Sequence, residues 1–222
     1  MPTIDATTDA TEAAHDARTE ARRRQLLAAA ARLMAEHGSP NVSMQAVADG
    51  AGVSVGLIYR YFGGKQDLLQ AVIVSVLESF ATRVAEAIGD EPDPVRRIAA
   101  AFAGYCDVIH DEREAALLAY RETKSLDPEG RRVLMDLEVQ TAQPLVAAVT
   151  DAVDAGLIRP VNVPVFAYQL LMTAHSWALK HWYFGTRIAH ADFVAEHTAL
   201  ALSAVLRPET RNHYTDLLGT LA

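Results

Sequence analysis

One cysteine, Cys106, stands in the 222 residues, so no internal disulfide can close. That excludes a disulfide-stapled scaffold and fits a reducing compartment. No convincing alternating polar and apolar stretch marks a strand, and no segment repeats itself. No charge-flanked apolar run opens the chain, and the internal apolar stretches, Ala71 to Leu77 among them, fall well short of the ~20 residues a membrane helix needs. The expectation is a soluble, cytoplasmic protein with no membrane partner. Chemistry-bearing patterns are also missing. Despite eight histidines there is no paired Glu-x-x-His, no His-Glu-x-x-His and no cysteine-histidine cluster. Asp107-x-x-His110 is a single instance, Glu196-His197 lacks the spacing to share a metal on one helix face, and Ser176 has no nucleophile elbow around it. No catalytic residue, metal site or cofactor is therefore assigned, and an enzyme remains a rival class only.

What is present favours helices. Half of the residues are hydrophobic, alanine and leucine dominate, and proline and glycine cluster between long runs. The fold class expected is all-α. The net charge of -8 argues at first against a nucleic-acid partner, but residues 18–65 carry +4, which leaves -12 on the remainder. A basic head on an acidic body can dock its head on phosphate while the body repels the duplex elsewhere.

Residues 1–17 are rich in Thr, Ala and Asp with almost no large apolar side chain, which predicts a disordered arm. From about Arg18, Leu26, Leu27, Ala30, Leu33, Met34 and His37 recur at helical spacing until Gly38 and Pro40 supply the stop. Ser43 and Ser54 are N-caps for two short helices separated by Asp49-Gly50-Ala51-Gly52, and Gly63-Gly64 ends the second. A long helix over about 65–88 connects to a second region. Asp93-Pro94, Asp127-Pro128 and Asn162 before Pro164 mark later helix starts. Helices are expected at about 94–110, 113–125, 128–155, 163–184 and 190–206, with Pro144 kinking or splitting the third of these.

Ser43 to Phe62, SMQAVADGAGVSVGLIYRYF, reads as helix, tight small-residue turn, helix. Ala48 and Gly52 allow close approach, Val53 plugs the corner, and Ile58 and Phe62 anchor the second helix inward at i and i+4. Val55, Gly56, Tyr59 and Arg60 are left facing outward. Ser54, Val55 and Gly56 would put little bulk into a major groove, and Gly56 permits the closest backbone approach. Tyr59 and Tyr61 can donate to phosphates, and Lys65 joins a cation to helix N–H groups. Arg22, Arg23 and Arg24 could meet phosphate or simply form a solvated face.

Over about residues 22–72 the chain resembles the tetracycline-repressor (TetR) family, through the pattern from Val42 along AVADGAGVSVGLIYRYFGGKQDLL. The resemblance implies a three-helix DNA-binding domain over 18–64 and a larger helical ligand-binding and dimerisation domain over 65–222. It implies a double-stranded DNA operator, with contacts from Ser43, Gln45, Ser54, Val55, Gly56, Tyr59, Tyr61 and Lys65, and a repressor released by a small hydrophobic effector. Gln45 would read a base edge or brace a phosphate. Leu57 stands where many relatives carry Thr, so packing or a thymine-methyl contact is expected there.

Two apolar faces run along 165–184. One collects Phe166, Leu170, Thr173, Trp177, His181 and Phe184, the other Val165, Tyr168, Met172, Leu179, Trp182 and Tyr183. A helix apolar on two sides must be covered on two sides, most economically by a second subunit, and the family resemblance implies the same homodimer. Two reading helices would then lie about 34 Å apart on a palindromic site. Tyr105, Tyr120, Arg121, Lys124, Phe166, His175, Trp177 and His181 offer an apolar wall with polar tips, the candidate effector pocket. RETKSLDPEGRR and HSWALKHWYF resemble relatives that sense fatty acyl or acyl-CoA compounds, so Arg121, Lys124, Arg131 or Arg132 would meet an anionic group at the mouth. The helix over 65–88 is expected to be the only long element touching both regions, and hence the coupler. The alternative is a helical small-molecule-binding protein or enzyme without a DNA-binding role.

Overall fold

The computed structural model describes residues 6–219, and the first five residues of the expected disordered arm lie outside them. The first helix, α1 (Ala6–His37), starts well before the expected Arg18. Alanine-rich sequence extends a helix already nucleated at little cost, because only nucleation is expensive. His37 is exposed, not inward, while Leu26, Leu27, Ala30 and Met34 are buried.

Side-chain caps set the next starts. Ser43 accepts from the Ala46 N–H (3.1 Å) and Ser54 from the Leu57 N–H (3.3 Å), opening α2 (Met44–Gly50) and α3 (Val55–Tyr61). Between them Gly52 holds φ at 66°, a left-handed turn that a side chain would resist. Helix α4 (Lys65–Ile88) follows, then α5 (Pro94–Asp111) capped by Asp93 and α6 (Arg113–Glu122) ending in a 3-10 turn. Asp127 caps α7 (Pro128–Asp154), which continues as helix through Pro144 and is not split. The Thr141 hydroxyl donates to Glu138 O and the Gln143 amide to Val139 O, both in the turns just before Pro144.

Asn162 caps α8 (Val163–Leu179). The expected single run to 184 breaks at Lys180 (φ -120°, ψ 24°), and a separate turn, α9 (His181–Phe184), changes direction. Helix α10 (His190–Val205) and the short α11 (Thr215–Leu218) complete the order. The only pairing of extended backbone among the described residues is an isolated bridge between Ile158 and Leu206, so the fold is all-α.

Helices α1 to α3 close on the first turns of α4 through Leu26, Met34, Val47, Ile58, Phe62 and Leu68, all buried. Beyond that, α4 packs on α5 and α7, α8 covers α5 and α7, and α10 lies against α5. Helix α4 reaches a mean hydropathy of 1.5 over 18 residues, enough by length and composition to cross a membrane. Here its apolar residues, from Leu68 through Val76 to Val84, are core.

Candidate functional site

The helix-turn-helix presents one outward face. Ile58 (0% exposed) and Phe62 (5%) fix α3 inward, which leaves Tyr59 55% exposed with Ser54, Gly56 and Arg60 also at the surface. Val55 and Tyr61 are half-buried, Tyr61 with its ring 6.2 Å from Phe62. A Cβ added at Gly56 would meet nothing within 4 Å, whereas one at Gly50 would come within 3.0 Å of Leu33. Internal packing therefore accounts for the glycine at 50 but not for the one at 56. On α2, the exposed Gln45 amide donates to Asp49 Oδ1 (2.8 Å). Lys65 Nζ donates to Pro40 O (2.7 Å), strapping the first turn of α4 to the loop between α1 and α2. That bond uses one of three N–H donors, so charge and capacity remain.

The arginines of α1 diverge. Arg22 donates to Gln25 Oε1 (2.7 Å), and the Gln25 amide donates to Ala51 O (2.7 Å), which braces the end of α2. Arg23 turns to the other side, 3.9 Å from both Glu20 and Glu78 of α4.

In the body, a cavity of about 290 Å³ lies between α4, α6, α7 and α8. Ile73, Val76, Leu77 and Phe80 of α4 form one wall, and Leu134 and Met135 of α7 another. Three of the eight residues expected from sequence, Tyr120, Lys124 and His175, line it. Tyr120 stands edge-on to His175 (5.4 Å), and burial together with the nearby Glu138 charge pushes its phenol up to about 12. Burial also pushes the Glu138 carboxyl up and pulls His175 down to about 4. Tyr105 sits behind Phe80 (5.0 Å between rings), buried, its hydroxyl without a partner.

The other four lie elsewhere. Arg121 turns away and donates to Ala35 O of α1 (3.1 Å). Phe166 lines a groove of about 610 Å³ between α8 and α10. Trp177 donates its indole N–H to His110 Nδ1 (3.0 Å) and packs on Phe193, with His181 edge-on to it. Residues two apart on α8, His175 and Trp177, thus serve different neighbours, because α8 is covered on one side by α5, α6 and α7 and flanked by α10. The Arg121 contact also corrects the expectation that α4 alone touches both regions, since α6 packs on α1 as well.

Residues 26–72 match bacterial regulatory proteins of the tetR family, and residues 91–205 match the tetracyclin repressor-like C-terminal domain. The chain belongs to the TetR family. It is a DNA-binding regulator and not an enzyme, and the first match covers α2, α3, the last third of α1 and the first third of α4. HbdR of Aromatoleum sp. (strain CIB), an HTH-type transcriptional regulator, is 37% identical over 187 residues, 84% of this chain and 82% of that protein. A tetR-family regulatory protein from Rhodococcus RHA1 superposes with a TM-score of 0.73 at 20% identity, over 82% of this chain and 95% of its own. AibR, solved with isovaleryl coenzyme A and operator DNA, superposes at 0.69 and 23% identity, over 82% of this chain and 97% of its own. These two likenesses show the fold.

Two features of this TetR-family regulator bear on the sequence reading. The second face of α8 and α9 is exposed as a set: Val165 64%, Met172 48%, Leu179 42%, Trp182 73% and Tyr183 44%, with Leu200 of α10 at 55%. The α4 and α7 walls of the cavity were missed. Ile73, Val76, Leu77 and Phe80 follow the i, i+3, i+4, i+7 spacing of any core stripe, so nothing in sequence separates a cavity wall from packed interior. Glu138, one turn beyond Leu134, was the available signal, a carboxylate on an otherwise apolar stripe.

Proposed function

We propose that this regulator is a homodimeric, cytoplasmic repressor that leaves a palindromic operator when a small acyl compound, as a free or coenzyme A-linked group, enters the cavity between α4, α6, α7 and α8. The observation that carries the reading is the path of α4. Its middle supplies Ile73, Val76, Leu77 and Phe80 to the cavity, and its first residue, Lys65, is strapped to Pro40 in the loop between α1 and α2. A ligand that spreads the cavity must move α4, and α4 is tied to the head by its packing on α1, by the Lys65 bond and by the short link from α3 at residues 62–64.

Ser54, Val55 and Gly56 enter the major groove; Tyr59, Tyr61 and Lys65 hold phosphates; and Ser43 and Gln45 contact the backbone or a base edge from α2. The body, residues 66–222, carries -8 and keeps the duplex on the head. The exposed faces of α8 and α10 are covered by the same faces of a second copy, as a two-fold axis requires. The acyl class draws on AibR, which was solved with isovaleryl coenzyme A, and on the exposed Lys124 at the mouth, a cation suited to an anionic tail.

The test is fluorescence anisotropy on duplex recovered by binding selection, titrated with isovaleryl-, octanoyl- and palmitoyl-CoA. At least one should weaken operator binding by tenfold or more. Unchanged affinity with all three removes the acyl class, and light scattering that shows only monomer at micromolar concentration removes the dimer.

A further inference from the structure

One side chain of the cavity wall carries an enclosed nitrogen without a partner among the described residues. His175 lies on α8 in the cavity wall, opposite Phe80 of α4 (6.1 Å between rings) and edge-on to Tyr120 of α6. Its Nδ1 is buried and has no hydrogen-bond partner among the described residues. Burial alone pulls the ring's pKa to about 4, with no charge of either sign contributing, so the imidazole is neutral at physiological pH and holds one proton. Nothing accepts a proton from Nδ1, so that proton belongs on Nε2, the ring nitrogen that keeps accessible surface on a side chain lining the cavity.

The half-buried ring thus offers this mainly apolar cavity one N–H donor that no protein group among the described residues takes up. The volume, about 290 Å³, is at the lower end of the ~300–1,000 Å³ usual for ligand pockets and suits a ring or a short branched chain. Resting on the reading of this cavity as the effector site, we propose that His175 Nε2–H is a specificity anchor that donates to an uncharged oxygen at the buried end of the effector. The effector is then a compact, mainly apolar group with an inner hydroxyl, ether or carbonyl. A plain hydrocarbon end leaves the donor idle. A carboxylate end finds no cation at the neutral ring, so any anionic part stays at the mouth beside Lys124.

The test uses two isosteric pairs in which a methyl and a hydroxyl exchange places: valeryl-CoA with 4-hydroxybutyryl-CoA, and ethylbenzene with benzyl alcohol. Dissociation constants are measured by calorimetry or ligand-observed NMR on the full-length protein and on His175→Leu and His175→Gln. The ratio of hydroxyl to methyl affinity should fall at least tenfold in His175→Leu for the pair that binds, with part of the preference kept in His175→Gln. The imidazole 15N signal assigned to His175 should also move with the hydroxyl ligand alone. A ratio unchanged within about twofold overturns the anchor while leaving the cavity as effector site. Failure of all four probes to bind the wild-type protein overturns the effector reading and the anchor with it.

Discussion

Gly56 offers a perturbation in which stability and function should move in opposite directions. It is the second residue of α3, its φ is not in the left-handed region, and an added Cβ would meet no protein atom within 4 Å. Gly56→Ala therefore adds no clash and removes conformational freedom from the unfolded chain, a gain of about 0.4–1 kcal/mol. For a chain of this size that corresponds to a rise in Tm of about 1–4 °C. In the proposed docking on the operator the same methyl would stand between the α3 backbone and the groove floor. Losing the contacts made at closest approach costs about 1–3 kcal/mol per base contact, so binding should weaken about 10- to 100-fold. Calorimetry gives the first number and anisotropy on selected duplex the second. No charge changes, so the slope of log affinity against log salt should stay as in wild type. Affinity unchanged within about twofold, with Tm raised, would show that Gly56 does not approach the groove. A lower Tm would show that the space beside it is not free.

Lys65→Met should give the complementary result, weaker binding to every duplex and a salt slope shallower by about 0.9, measured over a salt titration. His175→Leu should change the pH profile of stability. Because the folded pKa, about 4, lies below the unfolded value of 6.5, protonation favours the unfolded chain, and stability is present above pH 6.5 and lost as pH falls towards 4. The shift corresponds to about 3 kcal/mol, so denaturant unfolding at pH 4 and pH 7 should show a smaller difference in the leucine variant. A profile identical to wild type would refute the assignment. Trp182→Glu combined with Leu200→Glu places two charges on side chains that are 73% and 55% exposed in the single chain. The pair should leave helicity intact yet give a monomer by light scattering, with operator affinity reduced at least 100-fold as one half-site is lost; a stable dimer would place the interface elsewhere.

The reading head was legible because each of its residues answers a local requirement. Ser43 and Ser54 are caps, Gly52 needs a left-handed φ, and Ile58 and Phe62 fall one turn apart, so twenty consecutive residues specify their own geometry. Helix starts at Asp93-Pro94, Asp127-Pro128 and Asn162 were legible for the same reason. The cavity was not, because it is a gap between four helices and depends on which way α6 and α8 rotate. Tyr120, Lys124 and His175 reach it, while Arg121, adjacent to Tyr120, points to α1. Trp177, only two residues from His175, is turned by the helical pitch to the opposite neighbour, where it donates to His110. The break at Lys180 was also hidden, since HSWALKHWYF keeps helical apolar spacing across it.

Arg121 and Lys65 together say what the cavity can control. Both donate to backbone carbonyls at the far end of the head, Arg121 to Ala35 O in the last turn of α1 and Lys65 to Pro40 O just beyond it, so the two hydrogen bonds clamp one short stretch of chain from two helices. Each helix also lines the cavity, α4 through Phe80 and its neighbours and α6 through Tyr120. A ligand that moved α4 alone would strain the Lys65 bond against an Arg121 bond left in place. One that parts α4 and α6 pulls the clamp open from both sides. The second outcome needs bulk between the helices, so under the proposed mechanism the size of the inner group, more than the length of any tail at the mouth, should decide whether a bound ligand frees the reading helix.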